Sequence, residues 1–571
     1  AQLLNWHRRE DKGFWWRYFY LRDELSDSER REEKDALGEL EFIRSWPDPA
    51  PRARSTFFRF RFPPQDHDVK PGSSPRDPET GASAGTVADI DDKQGTIDLR
   101  RGNQGPPPAP RSLIPFDYVN ATPKPDSLMR LATWIMENGI DSPGPFKVGR
   151  DLLRRRRPSL GQNEGVSLVG ADEAAADAAQ RLALRMSGTY LAIQGPPGSG
   201  KSTVGAEIIV DLVAAGKRVG VTANSHKVIG ELLAKVVRAA EKRALALQIV
   251  QRTSAEEAPD GIRPLASQQA VDGLLAGSFD VLGATTWLWA REEVAETLDV
   301  LVVDEAGQMS LADTLAASPC ADSLLLLGDP QQLNQPLKGV HPPGAERSVL
   351  GHVLDGERVI PPHLGVFLDG TWRMHPQISE FTSEVFYEGQ LRSHPGRELQ
   401  EIAGEPPLSQ TGIRFIGVSH EGNSSSSSEE SQMLRELIGA LLEARPVYTD
   451  SNGQRRPISL SDVLVITPFN AQVARISAAV PGARVGTVDK FQGQEAPISI
   501  YSMASSSAAE APRGMEFLYN LNRLNVATSR AQGLAAIVGS RDLLRVRCRS
   551  PRQMRLANAL ARFIELAEAA S

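Results

Sequence analysis

GPPGSGKS, residues 195–202, sets the reading of the whole chain. It fits G-x-x-x-x-G-K-[ST], a loop whose backbone N–H groups and following helix N-terminus cradle phosphates. The flanks supply the context that this chemistry needs. Tyr190-Leu191-Ala192-Ile193 is an apolar run of strand length, and Thr203 to Val213 carries apolar residues at helical spacing. Strand, glycine loop and helix predict a nucleotide site lined by Gly195, Pro196, Pro197, Gly198, Ser199, Gly200, Lys201, Ser202 and Thr203. Lys201 brings a point charge to the phosphates, and the Ser202 hydroxyl suits Mg²⁺.

Outward from this loop, Leu298 to Val303 is an apolar strand that ends in Asp304-Glu305. Adjacent acids can divide the work of hydrolysis. Asp304 holds Mg²⁺, which prefers carboxylate oxygen and keeps waters, while Glu305 polarises the attacking water. A further strand, Ser323 to Leu327, ends in Gly328-Asp329-Pro330-Gln331-Gln332-Leu333. A neutral amide there can sense a γ-phosphate, with Gln332 the candidate rather than Gln331. Two arginines follow in a second α/β pattern: Arg373 in Thr371-Trp372-Arg373-Met374-His375-Pro376, and Arg530 near the end of Arg523 to Ala531. Arginine delivered across a cleft stabilises the charge that phosphoryl transfer develops.

The chain has 571 residues, 40% hydrophobic and 24% charged, as expected of several soluble domains. No apolar run is long enough to cross a bilayer, and no signal peptide is visible. The chain opens on Ala inside a helical pattern, so it is expected to be a piece of a longer protein. Its two cysteines, Cys320 and Cys548, form no metal or disulfide pattern and point to a reducing, cytoplasmic (bacterial-type) compartment. The net charge of −7 does not favour a polyanion partner, but a local basic track matters more than the sum.

Composition divides the chain. Residues 1–45 read as a helical stalk, with a helix start at Ser26-Asp27-Ser28-Glu29. Residues 46–120 carry short alternating strands such as Phe57 to Phe62, and read as a small β-barrel accessory domain. Residues 71–79 read as a loop within it, and 105–110 as a stiff proline linker. Residues 121–166 return to helical stalk and linker, 158–166 being the linker. Arg154 to Arg157 reads first as a solvated helix end and second as a phosphate contact. Residues 167–361 and 362–571 read as two α/β core domains, the second without a P-loop. The serine run 424–428 reads as a mobile loop before a helix at 429–444.

Taken together, these stretches resemble the superfamily 1 helicases. The nearer likeness is to the 5′-to-3′ branch (superfamily 1B) that includes the nonsense-mediated RNA decay helicase and the Okazaki-fragment nuclease-helicase. That family runs IQGPPGTGKT, a VxxxAPSN-like strand end, DEAxQ, GDxxQL, QYRMHP, VDxFQGxE and RLNVALTRA. The corresponding stretches here are Ile193 to Ser202, Val219 to His226, Asp304 to Gln308, Gly328 to Leu333, Thr371 to Pro376, Val488 to Glu495 and Arg523 to Ala531.

The resemblance implies an α/β fold of two RecA-like, P-loop-type core domains with the stalk and barrel as accessories. It implies ATP and Mg²⁺ as cofactors, with Lys201, Asp304, Glu305, Gln332, Arg373 and Arg530 catalytic. It places Glu495 beside the nucleotide and Trp372, where the family has tyrosine, stacked on adenine. The upstream adenine-reading glutamine is not clean, since Gln180 lies too close to the P-loop. Without a long insertion between Phe491 and Arg523, the chain matches the 5′-to-3′ branch. Nucleic-acid positions implied by the family are Asn224, Ser225, His226, Thr285, Thr286, Pro468, Phe469, Asn470, Thr487, Asp489 and Gln492. Hydroxyls and amides at strand ends suit a sugar–phosphate track. The arrangement also resembles the helicase half of bacterial RecB-like nuclease–helicase fusions, which implies a nuclease before residue 1, single-stranded DNA favoured over RNA, and DNA repair or processing. The same motifs would serve an ATP-driven remodeller, an ATP-switched clamp without strand separation, or an RNA helicase. No membrane partner is expected.

Overall fold

The computed structural model describes every residue except 51, 66, 103–108, 162–165, 405–407, 409, 492, 570 and 571. The expected 105–110 linker therefore lies largely outside the described residues, as does part of 158–166. The chain divides into two compact units: Ala1–Pro125 with Leu337–Pro343, and Asp126–Pro336 with Gly344–Ser571.

The first unit opens with the helix Trp6–Phe19, which runs into a π turn at Tyr20–Glu24. The helix Asp27–Arg31 begins where its sequence predicts: Ser26 Oγ accepts from Glu29 N, and the Glu29 carboxylate accepts from Ser26 N at 2.8 Å. Strands Glu41–Pro47, Ser55–Arg61, Thr86–Asp91 and Thr96–Gly102 then pair antiparallel in the order first, second, fourth, third. Alternation sends Phe60, Val87, Ile97 and Leu99 into a small core. The expected barrel does not close among the described residues, because the first and third strands remain edges. Four short strands are too few to wrap a filled interior. The first strand also starts inside the stretch read as stalk.

The second unit holds two large parallel sheets. The first has eight strands, in the order Gly365–Phe367, Tyr190–Gln194, Ala321–Gly328, Leu298–Val303, Val219–Thr222, Val281–Gly283, Ile249–Arg252 and Arg263–Leu265. Its central strands are buried end to end, as a parallel sheet covered by helices on both faces requires. Its outermost strand, Gly365–Phe367, pairs with Tyr190–Gln194, so the first sheet extends past the expected boundary at 361. The second sheet has five parallel strands, in the order Gly412–Gly417, Ala531–Gly539, Ala496–Ser502, Val463–Thr467 and Arg484–Thr487. Each sheet carries its own apolar core.

Two local readings change. The serine run ends in a cap rather than a loose loop: Ser427 is buried, and its hydroxyl accepts from Glu430 N at 3.1 Å to start the helix Ser428–Ala444. The arginine cluster is committed to ion pairs within the unit. Arg154 and Arg156 reach Asp141, Arg156 also reaches Asp151 at 3.1 Å, and Arg155 pairs with Asp355.

Candidate nucleotide site and nucleic-acid track

The strand Tyr190–Gln194 delivers the glycine loop, and the helix Lys201–Ala214 leaves it. Gly198 and Gly200 have φ of 74° and 78°, a conformation that side-chain-bearing residues avoid. Gly198 is fixed by space as well. A Cβ there would lie 2.5 Å from Thr371 Oγ1 and 2.6 Å from Arg373 Cβ. That proximity exposes a contact the sequence did not reveal. Trp372 N donates to Gly198 O at 2.8 Å, and the Thr371 hydroxyl donates to Pro197 O at 3.0 Å. The TWRMHP stretch is thus clamped to the phosphate loop. Ser199 Oγ is buried there without a partner.

Asp304 and Glu305 follow the strand Leu298–Val303, two strands away in the same sheet. Asp304 is buried, and its Oδ1 accepts from Glu305 N at 2.9 Å. Glu305 adopts φ of 51°, a left-handed conformation that is unfavourable outside glycine and concentrated at functional sites. Lys201 Nζ lies 3.1 Å from Glu305 Oε1 and 3.9 Å from Asp304 Oδ1. Burial works against the Lys201 charge, yet Glu305 and Asp304 outweigh it and hold the ammonium protonated. Burial pushes the Asp304 carboxyl up, and Lys201 only partly offsets this.

Asp329 follows the next strand. Its buried carboxylate accepts from Tyr387 Oη at 2.6 Å, Gln332 Nε2 at 2.9 Å, Gln331 N at 3.1 Å and Gln194 Nε2 at 3.3 Å. Gln332 is therefore held by Asp329. From the helix Leu521–Thr528, Asn525 Nδ2 reaches Tyr387 Oη at 2.9 Å and Gln331 O at 2.8 Å, and Asn522 Nδ2 reaches Pro330 O at 2.7 Å. Helix and sensor loop thus belong to one hydrogen-bonded network, of which sequence reading found only Gln332.

Arg530 directly precedes the second-sheet strand Ala531–Gly539, whereas Arg373 stands between the short strand Gly370–Thr371, outside that sheet, and the helix Pro376–Phe386. Arg373 Nε meets Glu495 Oε2 at 2.6 Å, and its Nη1 donates to Ser529 O at 3.1 Å. Gln532 Nε2 holds the other Glu495 oxygen at 2.9 Å. Burial would raise the Glu495 carboxyl, but Arg373 and Gln532 bring it below its ordinary value. Arg530 is 2% exposed. Its Nη1 has a long contact to Gln494 O at 3.4 Å, while Nε and Nη2 are buried without partners. Burial, aided by Arg373, lowers its pKa to about 9. Trp372 is 55% exposed and stacks on His394, with ring centroids 3.7 Å apart. One face is thus occupied by His394.

These groups fit a Mg²⁺–phosphate ligand. Buried donors on Arg530 and Ser199 lack acceptors, and a buried acid, Asp304, lacks a close cation of its own. Ser202 and Asp304 are the residues that would hold such a metal.

The track residues stand at the carboxyl ends of parallel strands. Asn224 is exposed, and its Nδ2 donates to Gln308 O at 3.0 Å. Ser225 caps the helix His226–Lys242. The His226 ring lies 3.3 Å from Arg252 Nη1, and burial lowers its pKa. Thr285 is half-buried, whereas Thr286 is buried. Beyond the strand Val463–Thr467, Pro468 and Phe469 are buried and Asn470 is exposed. Thr487 ends its strand half-buried, Asp489 is exposed, and Gln492 lies outside the described residues. The structure thus leaves Asn224, Ser225, Asn470 and Asp489 exposed and His226, Thr285 and Thr487 half-buried, and withdraws Thr286, Pro468 and Phe469 into packing.

Two family models, each described as an AAA domain, match consecutive stretches, residues 175–347 and 346–542. An uncharacterized ATP-dependent helicase of Caenorhabditis elegans is 31% identical over 264 residues, 43% of this chain and 16% of that protein. The DNA polymerase alpha-associated DNA helicase A of Schizosaccharomyces pombe is 24% identical over 429 residues, 62% of this chain and 61% of its own length. The 3'-5' exoribonuclease HELZ2 of Homo sapiens is 28% identical over 276 residues, 43% of this chain and 9% of that protein. The chain spans less than two thirds of each of these relatives. Abutting AAA domains, two large parallel sheets and the ordered motifs around one phosphate site support a superfamily 1 helicase.

Proposed function

We propose that this chain is an ATP hydrolase that drives 5′-to-3′ movement along, and separation of, nucleic-acid strands, with single-stranded DNA favoured over RNA. One observation carries the reading: a single phosphate site draws its groups from both sheets. Lys201, Asp304 and Glu305 come from the first, while Arg530 stands at the start of the second-sheet strand Ala531–Gly539 and Arg373 pairs with Glu495 before the strand Ala496–Ser502. Turnover then depends on how the sheets approach each other, which is the coupling that a motor requires.

The residues divide the chemistry. Lys201 would transfer its charge from Glu305 to the phosphates, freeing the Glu305 carboxylate to accept a proton from the attacking water. Arg530 would donate its unspent N–H groups to the γ-phosphate oxygens. A bound Mg²⁺ would supply charge neutralisation on the phosphates. Accessible amides and hydroxyls at the strand ends would follow the sugar–phosphate backbone.

The DNA preference draws support from the named DNA helicase relative, and the 5′-to-3′ sense from the resemblance to that branch. DNA repair or processing, a nuclease before residue 1 and a cytoplasmic setting belong to the same proposal, the last supported by two free cysteines. Among the described residues, no helix is long and apolar enough to cross a membrane. ATP turnover and strand separation on DNA and RNA forks, each tailed at the 5′ or the 3′ end, test the reading. Turnover stimulated by single strands, with separation of 5′-tailed DNA forks, is expected. A flat ATPase response removes the motor, preferential action on 3′ tails reverses the polarity, and preference for RNA forks overturns the DNA assignment.

A further inference from the structure

Beyond the nucleic-acid positions already named, one cluster in the second unit carries positive charge that no acid pairs. Arg513 and Arg523 both stand over the ring of Phe517, with guanidinium carbons 4.8 Å and 4.0 Å from its centroid. Phe517 in turn packs on Phe469, with ring centroids 5.4 Å apart. Phe469 lies just past Pro468, which follows the strand Val463–Thr467, and beside exposed Asn470.

Nearby acids do not neutralise this pair. Glu516, on the same short helix as Phe517, pairs with Arg552 at 3.2 Å. Glu510 accepts from Ser507 Oγ and Gly422 N. Among the described residues, neither guanidinium has a carboxylate partner or a hydrogen bond to a protein acceptor. The contrast with Arg155, Arg156 and Arg373, all paired, is direct. An arginine held over a ring by cation–π attraction spends no N–H group on that contact, so its donors stay free for an anion. Two such cations on one ring repel each other, and a bound polyanion relieves that repulsion.

We propose that Arg513 and Arg523, seated on Phe517, grip the phosphate backbone of the single strand beside the end of the strand Val463–Thr467. The site is sequence-independent, because stacked guanidinium groups meet phosphate oxygens and no base edge is presented by either partner. It rests on the nucleic-acid reading above and adds residues to the nucleic-acid positions named there.

The test uses the full chain without nucleotide and a fluorescein-labelled oligo(dT), with anisotropy followed across a salt series. Arg513→Gln, Arg523→Gln and the double variant are compared with the unaltered chain. Each phosphate contact on a single strand contributes about 0.7 to the slope of log affinity against log salt. The double variant is therefore expected to flatten the slope by about 1.4, each single variant by about half of that, and to weaken oligo(dA) and oligo(dT) alike. Thermal melts check folding. If Arg523→Gln lowers the melting temperature, Arg513→Gln, on an exposed turn, decides. An unchanged slope and affinity in Arg513→Gln and in a folded double variant overturn this site alone. An unaltered chain that binds no single strand overturns it together with the motor reading.

Discussion

Replacing Arg530 with Met separates stability from activity, and the two are expected to move in opposite directions. The guanidinium is 2% exposed, and its Nε and Nη2 have no acceptor. Each unsatisfied buried donor costs roughly 1–3 kcal/mol, and removing an uncompensated buried charge in favour of an apolar side chain of similar length is often neutral or stabilising. The pKa agrees in sign. Burial depresses it to about 9, so the native state binds this proton less tightly than the unfolded chain. The charge is then a cost throughout neutral pH, recovered only as pH rises above the native value. Arg530→Met is therefore expected to unfold at the same or a higher urea concentration than the unaltered chain. ATP turnover should fall by about 10³ or more, the usual loss when an arginine that stabilises phosphoryl transfer is removed. Urea unfolding by fluorescence and steady-state phosphate release provide the two readouts. Destabilisation by about 2 kcal/mol or more would mean that the side chain is a structural tie whose removal leaves something else unpaired. Turnover within about tenfold of normal would remove it from the reaction.

The remaining predictions concern one first-sheet acid and two buried networks. Glu305→Gln should keep nucleotide affinity while losing about 10²–10⁴ in turnover, checked by equilibrium binding of a fluorescent ATP analogue beside a phosphate-release assay; equal losses of both would assign Glu305 to binding. Tyr387→Phe removes the 2.6 Å donor to Asp329 and the acceptor of Asn525 Nδ2, and should destabilise the second unit by roughly 1.5–3 kcal/mol in urea unfolding; an unchanged midpoint would show that the network is not needed for stability. His420 is buried between Ser506 Oγ at 2.7 Å and Glu430 Oε1 at 3.0 Å. Burial opposes its protonation, but Glu430 prevails and raises its pKa. A raised native pKa stabilises fully below the ordinary value of about 6.5, and that contribution fades as pH climbs through the native value. His420→Gln should flatten the pH dependence of the melting temperature over that window, and an unaltered slope would count against the pair.

The sequence made the phosphate site legible because its chemistry is local. A glycine loop, an acid pair at a strand end and an arginine-bearing motif each declare themselves within a few residues. What stayed hidden depends on partners far apart along the chain. Nothing in Thr371 or Trp372 announces that one hydroxyl and one backbone N–H will clamp Pro197 and Gly198. Asp329, Tyr387 and Asn525 meet only after two sheets and a helix are assembled. The strand Gly365–Phe367 has three residues, too few for a period to show, so the limit of the first sheet was misplaced. The four accessory strands could be found by alternation, but closure is a matter of pairing between edges, and alternation says nothing about that. Arg155 could be read as the end of a helix, but its partner Asp355 lies two hundred residues away.

The charges around the phosphate loop also argue for what the site awaits. Lys201, Arg373 and Arg530 face Asp304, Glu305 and Glu495. Two pairs form, Lys201 with Glu305 and Arg373 with Glu495. That leaves one buried cation and one buried anion unmatched: Arg530, which has no carboxylate, and Asp304, whose nearest cation is Lys201 at 3.9 Å. Burial moves their pKa values in opposite directions, Arg530 down and Asp304 up, so each is pushed toward its neutral form. A simple anion would satisfy only Arg530, and a simple cation only Asp304. A ligand that satisfies both must carry negative oxygen at one end and a metal ion beside it, as a nucleoside triphosphate with Mg²⁺ does. Under the proposed function, Glu305, held in a left-handed backbone conformation, would give up Lys201 to such a ligand and be left as the free base. The strain and the unmatched charges therefore describe a site prepared for its substrate at a cost in its own stability, and the Arg530→Met comparison measures that cost.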